Sequence, residues 1–219
     1  MTTPAQPQYA SAGGSSSEIH AAALRSADPL PGLSWLDVGC GTGEVLRMIR
    51  RQYAPARMAG IDVIDWLDGD LRDDVELVTG PAEEALAAAQ PADRVLMVET
   101  IEHLEAPWTS LRSAVRLVKP GGILVVTTPN VASLRHRIEL AARGQLTSFR
   151  PDNEPHLGPI LPHVIGRVLR EEGLVPEPPA FAGRDVLPKS GGRLWPGALQ
   201  ARLPRLTSIS VLVAGRRTA

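Results

Sequence analysis

Trp35-Leu36-Asp37-Val38-Gly39-Cys40-Gly41-Thr42-Gly43-Glu44 is the stretch on which the reading of this chain turns. An apolar strand end runs into a glycine-rich turn, and Glu44-Val45-Leu46-Arg47-Met48-Ile49 then reads as the opening of a helix. Glycine at alternate positions allows a sharp turn and lets the backbone approach a ligand, because no Cβ stands in the way. The new helix N-terminus points unpaired N–H groups at whatever lies there. The next strand-like run, Arg57 to Val63, ends in Gly60-Ile61-Asp62. Asp62 lies 21 residues past Gly41, close to the ~20 expected of a carboxylate that grips ribose hydroxyls. Spacing and residue type together predict a nucleoside-cofactor site.

A dinucleotide fingerprint needs G-x-G-x-x-G; here Glu44 takes the third glycine's place and the pattern is G-x-G-x-G. Asp37, directly before the turn, would set a carboxylate near a pyrophosphate, whereas it suits a ligand bearing an ammonium and a sulfonium. On these residues, Leu36 to Gly43 resembles the first motif of class I S-adenosylmethionine-dependent methyltransferases. The resemblance implies that Gly39, Gly41 and Gly43 bind S-adenosylmethionine along its methionine part, with Asp37 near the amino group. Asp62 would take the ribose; its alternative role is a helix N-cap after a strand. In Val78-Thr79-Gly80-Pro81-Ala82-Glu83, Pro81 stands where the family often has an acid that reaches the adenine amino group. Ala82 then offers its backbone N–H, and the side-chain contact is lost or comes from Glu83.

The chain of 219 residues is long enough for one domain with a well-buried core. With 43% hydrophobic residues and a net charge of −1, it reads as soluble and globular. Nothing in that balance favours a nucleic-acid partner, whose binders carry a basic stripe. The single cysteine, Cys40, excludes an internal disulfide and fits a cytoplasmic setting. No apolar run approaches the ~18–20 residues of a membrane span. The sequence carries no signal for oligomeric state.

Met1 to Ser17 is rich in Pro, Gln, Ser, Ala and Gly and reads as a disordered tail, followed by a helix over Ser16 to Ser26. From Ser34 onward, short apolar strands alternate with amphipathic helices, the pattern of an α/β fold. Strands are predicted at Ser34–Val38, Ala59–Val63, Val75–Val78, Asp93–Val98 and Gly122–Thr127, with helices at Glu44–Tyr53, Ala82–Ala89 and Pro107–Val118. Lys119-Pro120-Gly121-Gly122 is expected to end the last of these in a turn. Val131 to Arg143 and Pro162 to Glu172 read as helical, Pro176 to Pro204 as irregular, and Thr207 to Arg216 as a last strand. The family implies a Rossmann-like, doubly wound, mostly parallel seven-stranded sheet in one domain over 18–219. A lid-like insertion is expected around 131–161.

Val98-Glu99-Thr100-Ile101-Glu102-His103-Leu104-Glu105 follows the fourth strand, whose C-terminal end faces the ligand crevice of a parallel sheet. If a helical turn begins at Glu99, then Glu99, Glu102 and His103 share one face. Two carboxylates and an imidazole so placed are able to hold a divalent metal, with His156 as a further ligand from a loop folding back. Glu-x-x-Glu-His followed by a later His is similar to two methyltransferase groups. One makes ubiquinone; the other methylates the 2′-oxygen of small RNAs and binds a metal, Mg2+ or another divalent ion, through these residues. Lys119-Pro120-Gly121-Gly122 through Thr127-Thr128-Pro129-Asn130 strengthens both likenesses, which cover about residues 34–175.

A metal that binds a hydroxyl oxygen lowers its pKa; without metal, His103 is a candidate general base with Glu102 beside it. The alternative is that His103 fixes the loop or touches the acceptor. His20, His136 and His163 read as isolated, structural or exposed, and Cys40 as a small residue without a catalytic part. Arg135, Arg137, Arg143 and Arg150 meet an acidic acceptor or form a solvated helix face. Trp108 and Phe149 line the acceptor pocket or belong to the core. The expected reaction is methylation of a hydroxyl on a small molecule: a sugar, a phenol or quinone, or a natural-product scaffold. RNA 2′-O-methylation and an inactive methyltransferase-like subunit acting through a partner are the alternatives.

Overall fold

A computed structural model describes residues 15–151, 155–188 and 190–219. Most of the expected disordered tail, residues 1–14, lies outside the described residues. Helix α1 (Ser17–Ser26) leads into β1 (Ser34–Val38), α2 (Glu44–Tyr53) and β2 (Arg57–Asp62). A loop with a 3₁₀ turn at Gly69–Leu71 reaches β3 (Val75–Thr79), followed by α3 (Ala82–Ala88), β4 (Ala92–Met97), α4 (Pro107–Arg116) and β5 (Val118–Pro129). The last third holds α5 (Leu134–Arg143), α6 (Pro162–Glu171), β6 (Leu174–Pro176), β7 (Ala180–Arg184), α7 (Gly197–Arg202), α8 (Pro204–Thr207) and β8 (Ser208–Arg217).

The sheet runs β3-β2-β1-β4-β5-β8-β6, with β7 also paired to β8. The first five strands are parallel, and β8 is antiparallel to β5. Seven positions cross the sheet, as expected, but the last is divided. β6 pairs with Gly215–Arg217, and β7 pairs lower on the same strand, with Ser208–Leu212.

Both faces of this sheet are covered, so β1 at its centre is buried at every position. Alternation sorts their side chains. Leu36, Val38, Val95, Met97, Leu124 and Val126 face a core shared with α3, α4 and α6. Trp35, Leu96, Val98, Ile123 and Val125 face a second core closed by α1, α2 and the Leu67–Leu71 loop. The N-terminal helix is therefore part of the domain, with Ile19, Ala23 and Leu24 fully packed.

Three expectations need correction. Lys119-Pro120-Gly121-Gly122 is not a turn after a helix: α4 stops at Arg116, and the segment opens β5 beside a register shift between Ala92 and Arg94. A Cβ on Gly122 would stand 2.8 Å from the carbonyl oxygens of Asp93 and Lys119, so glycine serves close backbone approach there. Pro176 to Pro204 is not wholly irregular, because Ala180–Arg184 finds the free edge of β8. The α5 helix begins at Leu134 rather than Val131, since the Ser133 side chain caps it by accepting from His136 N–H. No helix among the described residues is long and apolar enough to cross a membrane.

Candidate active site

β1 and β4 are neighbours, but the chain leaves them toward opposite faces, to α2 and to α4. Their C-terminal ends therefore bound a crevice at the switch point of the sheet. A cavity of about 950 Å³ fills it. Asp37, Gly39 and Asp62 line one wall; Glu99, His103 and His156 line the other.

The first wall is the glycine turn. Gly39, Gly41 and Gly43 all take left-handed backbone, with φ of 79°, 51° and 86°. Gly39 is doubly constrained, because a Cβ there would stand 2.5 Å from Thr100 Cγ2. Thr100 in turn donates its hydroxyl to Val38 O at 2.9 Å, which locks the exit of β4 onto that of β1. Asp62 closes the turn: one carboxylate oxygen accepts from Gly41 N–H at 2.8 Å and the other from Val63 N–H at 2.8 Å. Ile64 N–H makes a longer contact of 3.5 Å to the same oxygen as Val63, so the oxygen facing Gly41 keeps the greater lone-pair capacity.

Asp37 is 2% exposed, and its Oδ1 has no hydrogen-bond partner among the described residues. Burial, reinforced by the Asp62 charge, pushes its carboxyl up to about 7. Burial also raises Asp62, against the three backbone N–H groups that hold it. Two buried carboxylates without a cation form an electrostatic deficit that an ammonium and a sulfonium would fill. This wall fits S-adenosylmethionine.

The second wall follows β4. The turn begins at Ile101, a 3₁₀ turn over Ile101–His103, so Glu99 does not share a helical face with Glu102 and His103. Glu99 instead sits at φ +50° before the turn, donates its N–H to Thr127 Oγ1 at 2.8 Å and accepts the Thr127 hydroxyl at 2.7 Å. Burial raises its carboxyl to about 7, opposed by the Thr127 and Ser210 hydroxyls. Glu102 is 1% exposed, and neither of its oxygens has a well-formed hydrogen bond among the described residues. Burial, and then the Glu99 charge, hold its carboxyl well above the ordinary range.

His103 and His156 meet edge-on, with ring centroids 4.7 Å apart. Each hydrogen-bonds a backbone carbonyl through Nδ1: His103 to Pro155 O at 2.7 Å, His156 to Ser148 O at 2.6 Å. A carbonyl only accepts, so both rings carry a proton on Nδ1, which leaves Nε2 as the acceptor of the neutral ring. Burial and the neighbouring His156 lower the His103 pKa, which keeps that ring neutral. One donor atom each from Glu102, His103 and His156 lies within 4.8 Å of the others; Glu99 falls outside that group. Paired backbone carbonyls behind both imidazoles are the supporting arrangement metal-binding histidines use. This donor set fits a divalent metal. The loop carrying His156 does fold back, pinned by Leu157 N–H to Glu102 O at 2.9 Å.

Ala82 and Glu83 border the cavity beside Pro81. Trp108 packs against the core, and Phe149 lies against the His156 ring, 5.4 Å between centroids. His163 is exposed, whereas His136 and His20 are buried. His20 borders the cavity with Ser15 and Ile19, a contribution from α1 that carries no motif and that only packing reveals.

A family model described as a methyltransferase domain matches residues 14–176. The ubiquinone biosynthesis O-methyltransferase of Rhizobium etli is 28% identical over 202 residues, covering 89% of this chain and 77% of that protein. Among solved structures, an S-adenosylmethionine-dependent methyltransferase from Archaeoglobus fulgidus superposes with a TM-score of 0.63 at 17% identity, over 91% of this chain and 93% of that one. The N-methyltransferase NodS of Bradyrhizobium japonicum, solved with S-adenosyl-L-homocysteine, gives 0.58 at 16% identity, over 91% and 86%. The last two likenesses concern the fold. The match over 14–176 takes in the glycine turn, the paired carboxylates and the wall beyond β4, and with it the chain belongs to the S-adenosylmethionine-dependent methyltransferases of class I.

Proposed function

We propose that this enzyme methylates a hydroxyl of a small molecule, a sugar, phenol, quinone or natural-product scaffold, in the cytoplasm. The observation that carries the reading is the convergence of Glu102, His103 and His156 in the wall facing the glycine turn across one cavity. S-adenosylmethionine, when bound, supplies the methyl group and leaves as the neutral thioether. Asp37 receives the ammonium, Asp62 the ribose hydroxyls, and Gly39, Gly41 and Gly43 let the backbone follow the ligand. Ala82 N–H faces the adenine, and Glu99 closes the methyl end.

An alcohol or phenol is a poor nucleophile until it loses its proton. His103 Nε2 takes that proton as general base, and Glu102 stabilises the resulting charge; such catalysis is typically worth about 10²–10⁴-fold. Holding oxygen and methyl carbon in line supplies the remainder. In place of that base role, Glu102, His103 and His156 would hold a divalent ion through the same lone pairs, with Glu99 beyond them, and the ion would supply Lewis acidity that lowers the hydroxyl's pKa. Two imidazoles favour Mn2+ or a later metal over Mg2+, which prefers oxygen donors. The segment 131–161 acts as the lid that selects the acceptor.

A small neutral acceptor is favoured over RNA by the charge of the cavity. Asp37, Glu44, Asp62, Glu83, Glu99 and Glu105 line it, and no Lys or Arg does among the described residues. A phosphate backbone would find no counter-charge there. The test is release of S-adenosylhomocysteine with a panel of phenols and sugars, with and without chelator and added Mn2+. Turnover should fall at least 100-fold in His103→Ala and Glu102→Gln while S-adenosylmethionine affinity stays within about threefold. Unchanged turnover in both variants removes these residues from the chemistry, and indifference to chelator removes the metal.

A further inference from the structure

His136 reads in the sequence as an isolated histidine, yet it is 4% exposed and joined on both ring nitrogens. Its Nδ1 lies 3.0 Å from Ser133 Oγ. Its Nε2 lies 3.1 Å from Ser148 Oγ and 3.4 Å from Ser148 N. A backbone amide can only donate, so Nε2 is an acceptor and Nδ1 carries the proton. Ser148 is thereby gripped through both its amide and its hydroxyl. It sits at the centre of the 3₁₀ turn Thr147–Phe149, and two features of that turn act on His156. Ser148 O accepts from His156 Nδ1 at 2.6 Å, and the Phe149 ring lies against the His156 ring.

We propose that His136 is a positioning residue: through Ser148 it holds the carbonyl that orients His156 and keeps its acceptor nitrogen on the edge facing His103 and Glu102. The inference rests on the reading of His156 as a site residue. Its physical basis is rigidity: a loop carbonyl orients an imidazole only as well as the loop itself is held. Ser133 extends the support into the domain, since it is fully buried and caps α5, the helix that carries His136. The chain of contacts runs from the start of α5 through His136 and Ser148 to His156. Supporting shells of this kind are typically worth about 10- to 100-fold in metal affinity.

The test compares His136→Phe, His136→Asn and His136→Gln in the full chain. Phenylalanine keeps the ring volume without a nitrogen. The asparagine amide stops near the Nδ1 position, while the glutamine carbonyl reaches where Nε2 accepted. Nitrogen-15 NMR of the imidazole rings reads the tautomer of His156 directly, without metal or acceptor. The wild type should show His156 protonated on Nδ1, glutamine should retain that state, and phenylalanine and asparagine should lose it to a mixture. Mn2+ affinity by calorimetry should fall about 10- to 100-fold in the same two variants, with S-adenosylmethionine affinity within about twofold. If the phenylalanine variant fails to fold, the asparagine–glutamine contrast decides alone. An unchanged His156 tautomer in the asparagine variant, or a mixed one in the wild type, overturns the proposal. A wild type with the fixed tautomer but no Mn2+ binding leaves the positioning role standing and removes the metal from the proposed function.

Discussion

The two walls of the cavity are built on different principles. On the cofactor wall, Gly39, Gly41 and Gly43 follow β1 directly, and the closing carboxylate, Asp62, accepts from Gly41 N–H only 21 positions away. The acceptor wall joins the Ile101–His103 turn to the Pro155–Leu157 loop, through a hydrogen bond spanning 52 positions. Strand ends within a buried sheet hold the first wall; a surface loop, with Leu157 40% exposed, completes the second. Under the proposed function, affinity for a constant ligand would rest on rigid backbone, and selection of a variable one on a surface loop.

The largest expected effect lies in local opening. Cys40 N–H, in the glycine turn, donates to Ile61 O of β2 at 3.0 Å, and Leu157 N–H donates to Glu102 O at the rim. In hydrogen exchange, Leu157 should exchange at least about 100-fold faster than Cys40, since an exposed loop opens at lower cost than a buried turn bonded to a core strand. Equal protection would abolish the distinction between the walls.

Backbone substitution should separate them next. Gly39→Ala combines a left-handed φ with a Cβ 2.5 Å from Thr100, so it should cost on the order of 3 kcal/mol in chemical denaturation. The same change at Gly158, where a Cβ meets nothing within 4 Å, should be nearly neutral. Comparable losses at both positions would contradict the assignment.

Asp37→Asn should move stability and binding in opposite directions. The folded-state carboxyl titrates near 7, above the ordinary 3.8, because burial disfavours its charge. Its neutral form supports the fold below pH 3.8, and that support is lost as pH rises through 7. Asparagine should therefore unfold at a higher midpoint than the wild type at pH 8 and at a similar one at pH 4. S-adenosylmethionine binding should weaken about 10- to 100-fold at pH 8, the worth of a charged hydrogen bond. Wild-type affinity should climb between pH 5 and 7 and then level off, as the ammonium selects the carboxylate; the variant should show no such climb. A parallel pH profile in both proteins would exclude Asp37 as the ammonium's partner.

Much of this contrast follows how each wall appears in sequence. The turn, Asp37 and Asp62 are legible because a tight strand-to-helix bend needs glycine at fixed positions, whatever surrounds it. Glu99, Glu102 and His103 are legible as a motif but not as a geometry. Their expected common face assumes a helix from Glu99, and Thr127 instead holds Glu99 in left-handed backbone one residue before the turn's cap. β7 was hidden because an edge strand is defined by its partner, and Ala180–Arg184 carries little apolar pattern of its own. His20 and His136 read as isolated for a related reason: Glu44 and Ser148, which complete their contacts, lie in other segments.

What the residues alone determine is the alternation of strand and helix, the left-handed turn after β1, and the demand of two carboxylates for a cation. Each is a property of short-range sterics or of residue chemistry, effective over a few positions of chain. Tertiary structure alone decides that Glu102, His103 and His156 converge, that α1 closes the cavity, and that the last sheet position is shared by two short strands. Those outcomes depend on contacts between distant segments, where the choice of partner follows from packing the whole domain.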